Sequence, residues 1–231
     1  MTVSKHAVFA AIIGLAAVAA LPTSAFARTG WYLGGAAGDN FKDSETLTNG
    51  NNSIQADYSD NAAWQLDAGY ALSGGWRPEF SFTSRSNDAD SLSSQGYSTS
   101  NVTGHEDADT YMANLWYDIP MQAGPLHRLH PWLGGGIGMA DVGVHGLSTS
   151  NLGPYISIDD SRSVFAYQFG AGIGYDLARN WMVTADFRYL ATESTDFNYT
   201  TAVPQISGTV HGGYSAESLM FGLRYEFGNN L

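Results

Sequence analysis

Three short stretches carry opposite charges two residues apart: Arg77-Pro78-Glu79, Asp186-Phe187-Arg188 and Arg224-Tyr225-Glu226, with Arg85 following the first. In an extended strand residues i and i+2 point to the same face, so each pair shares a side. If that side is enclosed, the charges must pair or be wetted, because an unpaired buried charge costs several kcal/mol. The chemistry on offer is a fixed plug of ion pairs and waters, or a gate whose switching opens a small ion pathway. Other reactive groups are sparse. Cysteine is absent, which removes disulfides, thiol catalysis and cysteine-ligated zinc. His105, His145 and His211 fall in three separate polar stretches, near Glu106, Asp107, Asp159 and Asp160. Imidazole is a common metal ligand, but scattered histidines without ligand spacing are expected to be solvated, so no metal site is expected. The nearest Ser–His combination is "HGLSTSN", His145 to Asn151, in a serine-rich chain where chance co-occurrence explains it better than a catalytic triad. No catalytic residue and no cofactor are expected.

The elements that position these charges are alternating segments of about ten residues. "GWYLGGAAGDN" begins at Gly30, and "AAWQLDAGYAL" sets Trp64, Leu66, Ala68, Tyr70 and Leu72 against Gln65, Asp67 and Gly69. "WRPEFSFTSRS" opposes Trp76, Phe80 and Phe82 to Arg77, Glu79, Ser81, Thr83 and Arg85. "TYMANLWYDI" opposes Tyr111, Ala113, Leu115 and Tyr117 to Met112, Asn114, Trp116 and Asp118. "PWLGGGIGMADV" is too rich in glycine for its facing to be read. "SVFAYQFGAGIGYDL" puts Phe165, Tyr167, Phe169, Ile173, Tyr175 and Leu177 opposite Gln168, Gly170, Gly172, Gly174 and Asp176. "WMVTADFRYLAT" and "SLMFGLRYEF" repeat the pattern, with Asp186, Arg188, Arg224 and Glu226 on their polar faces. These eight segments have the period of strands.

Their connections are of two kinds. "SGG", "PMQAGPLHRLH" and "ARN" are short, whereas 41–59, 87–109, 144–162 and 193–214 are long and polar. That asymmetry matches a membrane barrel with short periplasmic turns and long extracellular loops. The facing follows from volume. An eight-stranded barrel is just wide enough for side chains to fill its inside, so two dozen large apolar groups must point outward, into lipid. Trp31, Trp64, Tyr70, Trp76, Tyr117, Tyr175, Trp181 and Tyr225 then read as aromatic girdles at the membrane interfaces. Pro78, which lacks a ladder donor, is expected near the periplasmic rim or at a bulge.

At the N-terminus Lys5 and His6 precede the apolar run "AVFAAIIGLAAVAAL", then Pro22 and the small-x-small triplet Ala25-Phe26-Ala27. This reads as a signal peptide over 1–27, cleaved to leave a barrel domain over 28–231. Without the leader, nine basic and 22 acidic residues remain, a formal charge of −13, which suits nucleic acid poorly. No later stretch approaches a membrane helix, although alternating strands hide from such a test.

The order of "GWYLGGAAG", "WRPEFSF", "MANLWYD", "PWLGGGIG", "FGAGIGYDL", "ADFRYL" and "FGLRYEF" resembles the small eight-stranded outer-membrane barrels of Gram-negative bacteria, the OmpA-like and opacity-type group. The resemblance implies an all-β, antiparallel, up-and-down transmembrane barrel in the outer membrane. Members with a peptidoglycan-binding domain continue past the last strand; this chain stops at Leu231, so peptidoglycan anchoring is not implied. The family's C-terminal assembly signal is matched by Gly222, Tyr225 and Phe227, with Met220 at its polar position and "GNNL" trailing. Lipid A-modifying enzymes exist among small barrels, but the deacylase pattern is not met here. The resemblance implies outer-membrane lipid, lipopolysaccharide and the barrel-assembly machinery as partners. The expected function is structural and at the cell surface: envelope integrity, or contact with extracellular ligands or host surfaces through acidic loops. The alternative is a narrow porin-like channel for small ions or solutes.

Overall fold

Alternation of apolar and small or polar residues leaves one way to bury both the backbone and the polar faces in a membrane: a sheet closed on itself. The computed structural model describes residues 29–42, 45–49, 52–59, 61–94, 97–99, 102–121, 128–149, 156–202 and 205–227. The expected leader, His127 and the trailing Gly228–Leu231 lie outside these residues. In chain order the strands are β1 (Gly30–Lys42), β2 (Glu45–Asn49), β3 (Asn52–Tyr58), β4 (Asn61–Ala71), β5 (Trp76–Ser94), β6 (Tyr97–Thr99) and β7 (Val102–Asp118). They continue as β8 (Leu129–Thr149), β9 (Ile156–Asp176), β10 (Trp181–Thr192), β11 (Thr195–Ala202), β12 (Gln205–Gly212) and β13 (Ser215–Glu226).

Eight of these form the wall. β1, β4, β5, β7, β8, β9, β10 and β13 pair antiparallel in that order, and β13 returns to β1 through Tyr32↔Glu226 to Lys42↔Ala216. The barrel is closed, with no free edge. At one end the turns are tight. Leu72 N–H donates to Trp76 O across the β4–β5 turn, where Gly74 and Gly75 take φ of 110° and 86°, values that side chains disfavour. Leu177 N–H donates to Trp181 O across the β9–β10 turn. Pro78 sits at this rim, one residue beyond the last β4–β5 pair, Gly69↔Glu79, so its missing donor interrupts no ladder there.

At the other end the structure differs from the expected loops. Much of 41–59, 87–109, 144–162 and 193–214 is strand: β5, β7, β8 and β9 run on, and β2–β3 and β11–β12 form hairpins beside them. β3 pairs with β5, β11 with β9, and Thr48 of β2 faces His211 of β12, so the sheet continues past the membrane. Beyond the lipid the outer face meets water, so large apolar residues no longer recur at every second position to mark these strands in the sequence.

The faces are as the volume argument requires. Phe169 and Phe221 are each 61% exposed on the outside, while Arg188 and Arg224 are 4% and 7% exposed inside. On β8 the facing is resolved too: Leu133, Ile137 and Met139 point out, and Trp132 points in. The expected girdle residues all lie on the outer surface. Trp31–Tyr70, Trp76–Tyr117 and Trp181–Tyr225 form ring pairs at the turn end, with centroids 4.9 to 5.2 Å apart. Trp64 lies toward the opposite side of the apolar band, against Phe82. Gly222 faces Thr184 and the β1 backbone, whereas Phe227 is exposed.

Candidate functional site: the barrel lumen

The inside of the wall holds larger side chains than glycine, alanine, serine and a few ion pairs. Trp116, Tyr32, Met112 and Met220 are almost wholly buried there. They fit because facing strands supply glycine: a Cβ on Gly134 would come 2.8 Å from Trp116 Cε3, and one on Gly138 2.8 Å from Met112 Sδ.

Glu79, on β5, is the hub of the lower lumen. One carboxylate oxygen accepts from Trp116 Nε1 at 2.9 Å and Asn114 Nδ2 at 3.2 Å. The other accepts from the Tyr32 hydroxyl at 2.9 Å and Arg77 Nη1 at 3.4 Å. Arg188 Nη2 stands 3.7 Å away. Arg77 is also tied to Asp118 by Nε at 3.1 Å, and Arg188 to Asp186 by Nε at 2.6 Å. Arg77 and Arg224 lie over the rings of Tyr32 and Trp132, and Arg188 over Trp116, all with centroid distances between 4.7 and 5.3 Å. Cations over aromatic faces are stabilised by the ring quadrupole, so the tryptophans act as counter-groups as well as filler.

Five expected members of the ion-pair network are placed differently. Asp186 and Arg188 pair with each other, because the register sets Arg188 opposite Ser218 and leaves Arg224 lower, opposite Met182. Arg224 Nη1 approaches Met182 Sδ at 3.8 Å, and its charge rests on the rings of Tyr32 and Trp132. Arg85 makes hydroxyl contacts, Nε to Ser218 at 3.3 Å and Nη1 to Thr110 at 3.0 Å, with no carboxylate within ion-pair distance among the described residues. Glu226 is half-buried at the turn end, level with Tyr32 on β1. Arg77 Nη2, Arg188 Nη1 and Arg224 Nε are buried without a protein partner. A void of about 10 Å³ beside Asp67, Asp186, Arg188 and Arg224 has room for about one water.

A second layer lies nearer the outer end and was not foreseen. Ala108, Val142, Val144, Val164, Leu190, Phe197 and Val210 form an apolar core inside the wall. Lys42 and Glu106 meet within this level at 2.7 Å, with side chains 0% and 2% exposed, and Lys42 lies over Tyr214. Glu106 is therefore not one of the solvated loop acids. The available signal was Lys42, the single lysine after Lys5, inside an acidic polar stretch. Asn40 bridges the two layers, accepting from Ser218 Oγ at 2.8 Å and donating to Asn87 Oδ1 at 2.8 Å. His105 and His145 lie side by side, their rings tilted by 38°, at the outer end of β7 and β8, while His211 sits apart on β12 beside Asp196. Among the described residues no three His, Asp or Glu side chains already converge on one point.

The family described as the outer membrane protein beta-barrel domain matches residues 10–227. The chain belongs to that family. It is a β-barrel of the bacterial outer membrane. An uncharacterized protein of Brucella abortus is 29% identical over 136 residues, covering 51% of this chain and 46% of its own. The chain thus spans less than half the length of the curated relatives it matches. Among solved structures, OprG of Pseudomonas aeruginosa aligns over 86% of this chain and 97% of its own, with a TM-score of 0.57 at 12% identity. The outer membrane protease OmpT of Escherichia coli aligns over 89% and 99%, with a TM-score of 0.53 at 9% identity. Identities this low speak for the fold alone.

Proposed function

We propose that this barrel is a structural protein of the outer membrane, its lumen held shut by side chains and its extended outer end serving as a surface platform. Glu79 carries the proposal: one buried carboxylate ties β1, β5 and β7 together and faces Arg188 of β10. Opening a path past it requires several charge-assisted bonds to break together, each worth about 1.5–3 kcal/mol. Arg77 and Arg188 are held separately by Asp118 and Asp186, which works against a swinging gate. The apolar layer above presents an ion with a second barrier of a different kind.

The outer end is acidic, with Asp88, Asp90 and Asp141 exposed. Such a surface suits contact with lipopolysaccharide phosphates through divalent cations, or with extracellular basic surfaces. The chain reaches this place after removal of residues 1–27 and insertion by the assembly machinery, for which Gly222, Tyr225 and Phe227 serve as the signal. N-terminal sequencing of the membrane-inserted protein is expected to begin at Arg28.

The narrow channel is the second reading, favoured by the unpartnered guanidinium nitrogens beside the small void. Single-channel recording in a planar bilayer separates the two, with heat-shifted gel mobility confirming the folded barrel. The proposal expects silence from the unaltered protein, and openings only when Glu79→Ala and Arg188→Ala are combined with a breach of the apolar layer such as Val142→Ser. Steady openings of the unaltered protein, changed by Arg188→Gln or Arg224→Gln, would make it a channel.

A further inference from the structure

We propose that the outer rim of β7 and β8 binds a first-row divalent transition-metal ion through His105, His145 and Asp107. On the outer face of these strands Tyr111 and Met139 are exposed and lie opposite each other. Continuing outward on the same face come the cross-strand pairs Asp109↔Asp141, Asp107↔Gly143 and His105↔His145. The two histidines thus oppose each other directly, on paired strands rather than on loops, beside the register shifts at Thr103/His105 and Val144/Leu147.

The distances suit an ion. The imidazole centroids are 5.3 Å apart. Zinc–nitrogen bonds of about 2.05 Å place each ring centroid about 3.2 Å from the metal, and a tetrahedral angle then separates the centroids by about 5.2 Å. His105 Nε2 and Asp107 Oδ2 are 3.4 Å apart, against about 3.3 Å for two donors on adjacent corners of a zinc tetrahedron. His145 leans back over Gly143: a Cβ there would be 2.6 Å from its Nε2. Because Gly143 is opposite Asp107, the missing side chain leaves room for the His145 ring beside that carboxylate. Rotation of the His145 side chain is what closes the three donors on one point.

The chemistry of the donors selects the ion. Imidazole favours zinc, copper and nickel, whereas magnesium and calcium prefer all-oxygen sites. Directly opposed carboxylates repel, and Asp109 and Asp141 stand two pairs below the histidines, beyond Asp107↔Gly143, so this edge of the rim is acidic and attracts a cation. A bound ion would cross-link β7 to β8 just beyond the lipid, a role separate from the closure of the lumen.

The test is isothermal titration of zinc into the detergent-refolded full barrel, with the cobalt(II) visible spectrum as a second readout. One ion per barrel is expected, with His105→Ala and His145→Ala each weakening binding by about tenfold or more. Asp107→Asn should weaken it less, and Gly143→Ala should weaken it while leaving every donor in place. His211→Ala, which removes the separate His211–Asp196 pair between β12 and β11, should change nothing. Heat-shifted mobility confirms that each variant is folded. No binding by the unaltered barrel, or binding that survives His105→Ala together with His145→Ala, would overturn the proposal. An unchanged affinity in Gly143→Ala would overturn the placement of His145 beside Asp107.

Discussion

Replacing Glu79 by glutamine keeps the shape of the lumen hub and removes its charge, so its cost can be worked from the contacts. The amide carbonyl can still accept from Trp116 and Asn114, which now approach at 2.9 and 3.2 Å. The amide nitrogen then faces Tyr32 and Arg77. The tyrosine hydroxyl can turn and accept, but the guanidinium has no acceptor to offer. Arg77 retains Asp118, and Arg188 retains Asp186. The loss is therefore two long ionic contacts, at 3.4 and 3.7 Å, and the charge assistance on three hydrogen bonds. Breaking a buried ion pair outright costs about 3–5 kcal/mol, and the retained partners should reduce this to about 2–3 kcal/mol. Asp118→Asn is the comparison, because the Asp118 side chain is 25% exposed and water can take its place, holding the cost to about 1 kcal/mol. Reversible urea unfolding in lipid vesicles, followed by tryptophan fluorescence, measures both. If Glu79→Gln falls within about 0.5 kcal/mol of the unaltered protein, or costs no more than Asp118→Asn, Glu79 is not the hub.

Two further perturbations address the upper lumen and the outer wall by the same unfolding assay. Lys42→Met should strand the buried Glu106 carboxylate at a cost of about 3–5 kcal/mol, and adding Glu106→Leu should recover most of that; a double variant as unstable as the single would show that the pair is not isolated in an apolar layer. Phe169→Arg, in the lipid band, should cost about 2–4 kcal/mol, whereas Ser161→Arg, farther out on the same face of β9, should be near neutral; equal costs would place the membrane boundary elsewhere.

Much of the wall was legible because a membrane barrel imposes one simple rule on each strand. Lipid demands apolar residues at every second position, and the period alone locates Phe165, Tyr167 and Phe169, or Leu219, Phe221 and Leu223, on the outside. The rule lapses past the lipid. There β2, β3, β11 and β12 are mostly polar with scattered apolar residues, a few of which, such as Phe197 and Val210, turn to the core, so stretches such as 193–214 look like loops. The apolar layer of Val142, Val144, Val164 and Leu190 was hidden for a related reason. Its members lie on inner faces just beyond the stretch where polar inward and apolar outward residues alternate, so the sense of the pattern reverses without any mark in the sequence.

The pairing inside the lumen was less legible than the faces, and the cause is register. β4 with β5 and β9 with β10 are joined by short turns, which fix which residues oppose each other. β10 and β13 are neighbours of a different kind, joined through the β11–β12 hairpin, so no local turn sets their alignment. The similar D-x-R and R-x-E signatures on the two strands suggest that they lie level. In the structure Asp186 faces Met220 and Arg188 faces Ser218, while Arg224 lies lower, opposite Met182. That offset leaves Asp186 to Arg188, gives Arg224 to the rings of Tyr32 and Trp132, and brings Glu79, from a third strand, within reach of Arg188. A lumen network of this kind is decided by closure of the sheet, since a change of register between β5 and its neighbours would redistribute the partners Glu79 draws from other strands.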